Sequence, residues 1–287
     1  KSHFVDIIPE VDMPGHSMAV LAAYPELACF PDTFEVRTTA GVEKNIMCAG
    51  NNNVSKFYDD IFNELATIFP YPEIHIGGDE APTDKWETCP KCQYKIEANN
   101  LKDEHELMAD FFKQIHQLLK KYNKKPMLWY EENISFYPKG ITVNLWRLGS
   151  AKRVVKATKD KGLNLICSPG EHAYFDYPES KADRKYAADW MPILTLEQVY
   201  KFDPGYGLSE NNQKHILGVE GCIWGENIKN MDRAYYMTFP RALALSEAGW
   251  SVMTNRSWNN SSRKINKNLM FLLERGVNFR PPIELFK

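Results

Sequence analysis

A parallel (β/α)8 barrel is the fold this α/β sequence predicts, and three observations carry the prediction. Short apolar runs alternate with longer segments whose apolar residues recur at helical spacing. The runs are apolar on both faces, as the strands of a parallel sheet covered by helices must be. The polar residues that could carry chemistry collect at or just past the C-terminal ends of those runs, where a barrel assembles its site from several strands at once. A doubly wound sheet would satisfy the first two observations. It would instead concentrate its chemistry at one switch point and usually opens on a glycine-rich phosphate turn, which this sequence lacks.

The elements follow in order. His3 to Pro9 reads as the first strand and leads into PEVDMPGHS, where Asp12 and His16 flank a Pro-Gly turn. Lys56 to Phe69 sets Phe57, Tyr58, Ile61, Phe62, Leu65 and Ile68 on one stripe of a helix. Glu73 to Gly77 is the next strand, turning through Gly78 into Asp79 and Glu80. Asp103, a good N-cap residue, opens a helix whose stripe is Leu107, Met108, Phe111, Phe112, Ile115, Leu118 and Leu119. Met127 to Tyr130 and Ile141 to Trp146 are strands, the first running into Glu131 and Glu132. Arg153 to Lys161 is a helix, Leu163 to Cys167 and Ile216 to Ile223 are strands, and Asp232 to Leu245 and Arg263 to Arg275 close the chain as helices. That is six strands where a barrel closes with eight. With no internal repeat, low-complexity tract or linker, residues 1–287 read as one domain.

Composition narrows the function. The 287 residues carry 35 basic and 37 acidic side chains, net −2, without a long run of either sign, so there is no electrostatic grip for nucleic acid or anionic lipid. No stretch approaches the roughly 18 consecutive apolar residues of a membrane span. The opening residues lack the charged, apolar and small-residue regions of a signal peptide. Of six cysteines only Cys89 and Cys92, in CPKC, are close in sequence. With no second CxxC and no histidine pair at finger spacing, the expectation is no metal and no cofactor. Cys89 and Cys92 then form a local disulfide or stay as thiols, and Cys29, Cys48, Cys167 and Cys222 are small core residues.

Three features point to chemistry. EIHIGGDEAP turns an apolar strand through two glycines into Asp79 and Glu80, adjacent carboxylates that point in different directions and so address different atoms of one substrate, one as proton donor and one as charge stabiliser. The plain alternative is an acidic helix start on a surface turn. Asp12 and His16 are spaced to tune and orient a carboxylate, or to form a capped structural turn. A metal set of Asp12, His16, His75 and Asp79 is the weaker reading, because His75 should alternate away from the other three. Trp129, Trp146 and Trp224 sit at the ends of predicted strands, where aromatic walls between carboxylates suit the C–H faces of a sugar ring. Tyr174 and Asp176 in HAYFDYP, and Glu226 in GCIWGEN, add a hydroxyl donor and two carboxylates at the same end.

At these residues the chain resembles the catalytic domain of the β-N-acetylhexosaminidases of glycoside hydrolase family 20, nearly end to end. IIPEVDMPGHS, HIGGDEAP, MLWYEE, VNLW, YFDYP, GVEGCIWGEN and FPRALALSEAGW stand in the family's order. The resemblance implies a (β/α)8 barrel and a retaining, substrate-assisted mechanism, an exception to the two-carboxylate scheme of glycosidases. It implies that Glu80 is the general acid and base, that Asp79 orients the acetamido N–H, and that Tyr174 donates to the acetamido oxygen. Trp129, Trp146 and Trp224 would form the pocket, Glu226 would bind hydroxyls of the terminal sugar, Asp176 would support the tyrosine or the aglycone side, and Asp12 with His16 would modulate Glu80. The partner implied is a glycan or glycoconjugate with a terminal β-linked N-acetylhexosamine, met outside the cytosol or in a lysosome. Rival readings are a metal-dependent barrel hydrolase, a non-catalytic glycan-binding barrel, and a relative that releases a disaccharide.

The resemblance departs at the front. The family's first two strands carry an arginine for the sugar hydroxyls and a histidine- and aspartate-rich motif, and neither is present. Two strands are also missing from the count, so the chain is expected to start near the third barrel strand, without the first two βα units. Alone it is expected to fold poorly or to be inactive, because an open barrel exposes strand edges and core.

Overall fold

The structure is a computed structural model that describes residues 2–205 and 213–282. Two compact units make up the chain, one from Lys1–Asn144 with Asp160–Leu163, the other from Leu145–Lys159 with Asn164–Lys287.

In the first unit β1 (Glu73–His75), β2 (Lys125–Trp129) and β3 (Thr142–Leu145) are neighbours and run parallel, with Glu73 opposite Lys125 and Met127 opposite Thr142. Ile74, Met127, Leu128, Trp129 and Val143 are buried, as the apolar runs predicted. Helices Asn52–Ile68 and Glu104–Lys121 pack on each other, burying Tyr58 and Phe62 on one and Leu107, Phe111, Phe112 and Ile115 on the other, while Ile68, the last residue of the predicted first stripe, is exposed. The Asp103 side chain accepts the Glu106 N–H, so the cap forms where it was expected. Among the described residues no helix is long and apolar enough to cross a membrane.

The expected first strand, His3 to Pro9, is displaced along the chain. Pairing with β1 begins at Pro9, whose carbonyl accepts His75 N–H at 3.0 Å, and continues through Val11 N–H to His75 O at 2.9 Å and Met13 N–H to Ile76 O at 3.2 Å. Phe4, Val5 and Ile7 are exposed. The register is set by the side chains further on, with Met13 fully buried and Asp12 lying directly over Gly77, so residues 9–13 and not 3–9 face the strand.

In the second unit β4 (Asn164–Cys167) pairs in parallel with β5 (Ile216–Val219). The predicted run to Ile223 is cut short. After Glu220 N–H reaches Cys167 O at 3.0 Å, the chain leaves β4 and pairs Cys222 with residues 173–175, Cys222 N–H to Ala173 O at 2.8 Å and Phe175 N–H to Cys222 O at 2.7 Å. Gly221 permits the switch, since a Cβ there would lie 2.3 Å from the Phe175 ring. The predicted helix Asp232–Leu245 is two helices, Met231–Thr238 and Arg241–Trp250. Pro240, which has no N–H to give and would crowd the preceding turn, separates them. The last helix runs Trp258–Glu274, a turn earlier than expected, on buried Ser261, Ile265, Leu269 and Leu272.

The break at Pro240 delivers Arg241 into the interior, where its side chain is fully buried. Its guanidinium donates to Phe175 O at 2.5 Å, Tyr177 O at 2.9 Å and Leu194 O at 3.2 Å, with Glu179 at 3.5 Å. Arg280 adds contacts to Glu179 at 3.0 Å and Asp183 at 3.1 Å. Removing one member of such a buried set leaves charge and carbonyls uncompensated. Arg241→Ala is therefore expected to lower stability by about 3–5 kcal/mol in denaturant unfolding, and a loss under about 1 kcal/mol would show that the carbonyls find other donors.

Candidate active site

The first unit brings Asp12, His16, Asp79 and Glu80 together. Past β1 the chain turns left-handed at Gly77 (φ 64°) and Gly78 (φ 96°) and again at Glu80 (φ 48°), and the opposing loop does the same at His16 (φ 48°). Gly77 has no substitute, because a Cβ there would stand 1.7 Å from Asp12 Oδ1. The space it leaves admits the Asp12 carboxylate, which accepts Gly78 N–H at 3.1 Å. His16 Nε2 then lies 3.5 Å from Asp79 Oδ2 and 3.6 Å from Glu80 Oε2, so one imidazole meets both adjacent carboxylates. Asp79 Oδ1 is buried with no donor among the described residues. Glu80 is more open, its side chain 32% exposed against 15% for Asp79. The pair thus offers one sheltered acceptor and one carboxyl at the rim, the division of labour expected of unlike catalytic carboxylates.

The charges confirm how closely the groups are coupled. Hydrogen bonding to Asp79 and Glu80 raises His16 to a pKa of about 10 despite partial burial. Burial, with the Asp79 charge adding to it, raises Asp12 to about 8. Asp12, His16 and Asp79 offer one ligand atom each within 4.8 Å of one another, a set that could hold a cation. His75 is not among them, as strand alternation required. Its ring meets Glu10 Oε1 at 3.0 Å and the Trp129 ring at 4.9 Å between centroids.

Trp129, the last residue of β2, is buried and donates its indole N–H to Glu10 Oε1 at 3.0 Å. Burial pushes Glu10 up, but hydrogen bonds from His75 and Trp129 outweigh it and hold the carboxylate below its ordinary value. Glu10 therefore fixes the orientation of this tryptophan. It was missed in the sequence because a lone glutamate beside a proline carries no signal of its own.

The second unit assembles the other residues. The bridge between Tyr174 and Cys222 sets the YFDYP segment beside GCIWGEN. Tyr174 and Trp224 meet edge to face, centroids 6.0 Å apart, and Tyr177 lies 5.5 Å from Tyr174. Asp176 is 1% exposed. Burial raises it to about 6, while backbone N–H groups of Asp176 and Trp224 and the Arg241 charge oppose the rise. Its Oδ1 has no donor among the described residues. Glu226 is exposed and borders an open cleft of about 780 Å³ lined by Tyr186, Arg233, Tyr236 and Asn278. Trp146, directly after β3, carries the Arg147 guanidinium 3.6 Å over its ring. Arg241 was the second residue missed, since an arginine in an amphipathic helix reads as solvent-facing.

Against known proteins, the model of the glycosyl hydrolase family 20 catalytic domain matches residues 1–253. The chain belongs to this family. A β-hexosaminidase of Akkermansia muciniphila is 44% identical over 94% of the chain and 55% of its own length. A crystal structure of a β-N-acetylhexosaminidase superposes with a TM-score of 0.89 at 43% identity, covering 96% of this chain and 58% of that one. A family 20 exo-β-N-acetylglucosaminidase from Vibrio harveyi, in complex with N-acetylglucosamine, gives 0.84 at 29% identity, covering 97% and 44%. The chain thus spans little more than half the length of the family members it matches, or less.

The two raised groups make stability depend on pH. Asp12 titrates at about 8 in the folded chain against 3.8 unfolded, and His16 at about 10 against 6.5. In both the native state holds its proton more tightly, so the stability they contribute is complete below the unfolded values and is lost as pH rises through the folded ones. Asp12→Asn keeps an oxygen for Gly78 N–H but cannot titrate. Its melting temperature is expected to fall less than that of the parent between about pH 5 and 9, and parallel profiles would contradict the assignment.

Proposed function

We propose that the protein is an exo-acting β-N-acetylhexosaminidase that removes terminal β-linked GlcNAc or GalNAc by a retaining, substrate-assisted route. The observation that carries this reading is the unlike pair at the β1 turn, a sheltered Asp79 with an unpartnered Oδ1 beside the more open Glu80. Family membership and the name of the Akkermansia relative support it. The parallel strands are read as part of a (β/α)8 barrel and the chain as one catalytic domain, with residues 1–287 covering its part from near the third strand onward. The reading also has the enzyme act outside the cytosol or in a lysosome.

On this reading the residues divide the chemistry between them. The 2-acetamido oxygen of the bound sugar attacks its own anomeric carbon as Glu80 protonates the departing glycosidic oxygen, so the C–O bond breaks and a cyclic oxazolinium forms. Holding the nucleophile within the substrate contributes on the order of 7–11 kcal/mol through proximity alone. Asp79 Oδ1 accepts the acetamido N–H and its charge offsets the positive charge that develops on the oxazolinium. Tyr174 donates to the acetamido oxygen, Trp129, Trp146 and Trp224 wall the pocket, Glu226 accepts from hydroxyls, and Asp176 supports the tyrosine segment. Glu80, now a carboxylate, takes a proton from the water that opens the ring. His16, in reach of both carboxylates, steadies whichever is ionised, and Asp12 sets the loop that carries it.

Release of 4-nitrophenol from its N-acetyl-β-glucosaminide tests this reading. Glu80→Gln is expected to lose about 10²–10⁴-fold on glycosides with poor leaving groups and less on the nitrophenyl substrate, whose leaving group needs little protonation. Asp79→Asn should lose activity on both. The nitrophenyl β-glucoside, which lacks the acetamido group, should be left intact, and its hydrolysis at a similar rate would require an enzyme nucleophile instead.

A further inference from the structure

Four of the six cysteines meet at one point in the first unit, and the reaction uses none of them. Cys29 and Cys48 stand at the two ends of a loop closed by the antiparallel bridge of Ala28 with Met47 and by Cys48 N–H on Leu27 O at 3.0 Å. Cys89 caps the helix Pro90–Ala98 and Cys92 lies in its first turn. All four are buried and free.

The spacing of their sulfurs is informative. Cys29 Sγ is 3.8 Å from Cys92 Sγ, and Cys48 Sγ is 3.7 Å from Cys89 Sγ and 3.6 Å from Cys92 Sγ. All four sulfurs lie within 4.8 Å of one another. A disulfide would need about 2.0 Å. Four thiolates about 2.3 Å from a tetrahedral zinc ion stand about 3.8 Å apart along each edge, which these separations match.

The surroundings suit a charged sulfur centre. Gly50 has no room for a side chain, since a Cβ would lie 2.3 Å from Lys91 C and 2.4 Å from Cys92 N. That close approach brings the Gly50 backbone against the turn that carries Cys92. Lys95, whose Nζ donates to Ala49 O at 2.9 Å, puts a positive charge near the sulfurs of Cys48 and Cys92.

We propose that Cys29, Cys48, Cys89 and Cys92 bind one structural zinc ion. With four protein ligands the site is closed, so the metal holds structure and does not meet substrate. It ties the loop between Cys29 and Cys48 to the CPKC helix. From there Trp86 Nε1–H on Met47 O at 3.0 Å and Met47 N–H on Pro14 O at 2.9 Å lead to the loop that carries Asp12 and His16. The sequence hid the site because the second cysteine pair is split by the whole loop and so shows no zinc-finger spacing.

Elemental analysis of the protein purified from zinc-supplemented cells, after a chelator wash, is expected to give about one zinc per chain. The Cys89→Ser/Cys92→Ser double variant should fall below about 0.1, while Asp79→Asn, which alters the other candidate cation set, should keep its zinc. Should the double variant not fold, titrating the parent with a mercurial in the presence of a zinc dye decides the matter, with one zinc released over four thiols. Cobalt in place of zinc should show the sulfur charge-transfer and visible bands of a tetrahedral thiolate site. Zinc-free protein with all four thiols titratable, a disulfide among the four by mass spectrometry, or zinc retained by a folded double variant would each overturn the proposal.

Discussion

The contact between Asp12 and the glycine turn after β1 is the constraint on which the carboxylate cluster of the first unit depends. Gly77 leaves room for one carboxylate and Gly78 gives it one N–H. Through that contact the loop from Pro9 to Ser17 takes its register against β1, and His16 comes to rest against Asp79 and Glu80. The left-handed backbone at His16 and Glu80 is what turns both side chains toward each other. For residues other than glycine such backbone is sparsely populated and costs on the order of 1–3 kcal/mol each, and it persists where the surroundings leave no alternative.

The half-buried Asp12 and the fully buried Asp176 show how differently the cost of leaving water is met. Asp12 has one N–H and an imidazolium to set against burial and the Asp79 charge, and it rises to about 8. Asp176 is more deeply buried, yet with two backbone N–H groups and the Arg241 charge it rises only to about 6. Near neutrality the first therefore holds its proton most of the time and the second has mostly given it up. Asp12 thus adds little negative charge of its own to the group around His16.

How much of this was legible in the sequence varied with the range of the interaction. The order of the elements, the Asp103 cap and most of the two amphipathic stripes follow from neighbours a few residues apart and stand where expected, Ile68 at the end of its stripe being exposed. The carboxylate pair and the histidine were legible because the family's motifs keep them in short strings. The first strand was misplaced because apolar content alone cannot fix a register that the Asp12 contact sets. One long helix was expected at residues 232–245 because the stripe continues through Pro240, although the backbone cannot. Glu10, Arg241 and the four cysteines escaped for a common reason, since each acts on groups tens of residues away and no local pattern records such a partner.

Arg241 carries one more consequence. Its hydrogen bonds go to the carbonyls of Phe175, Tyr177 and Leu194, a chemical group that every amino acid supplies. The anchor is thus indifferent to which side chains the segment displays. Phe175 and Leu194 are buried and fill the core themselves, so what the anchor leaves free to vary is the half-buried Tyr177 between them, whose side chain can change without loosening the Arg241 contact.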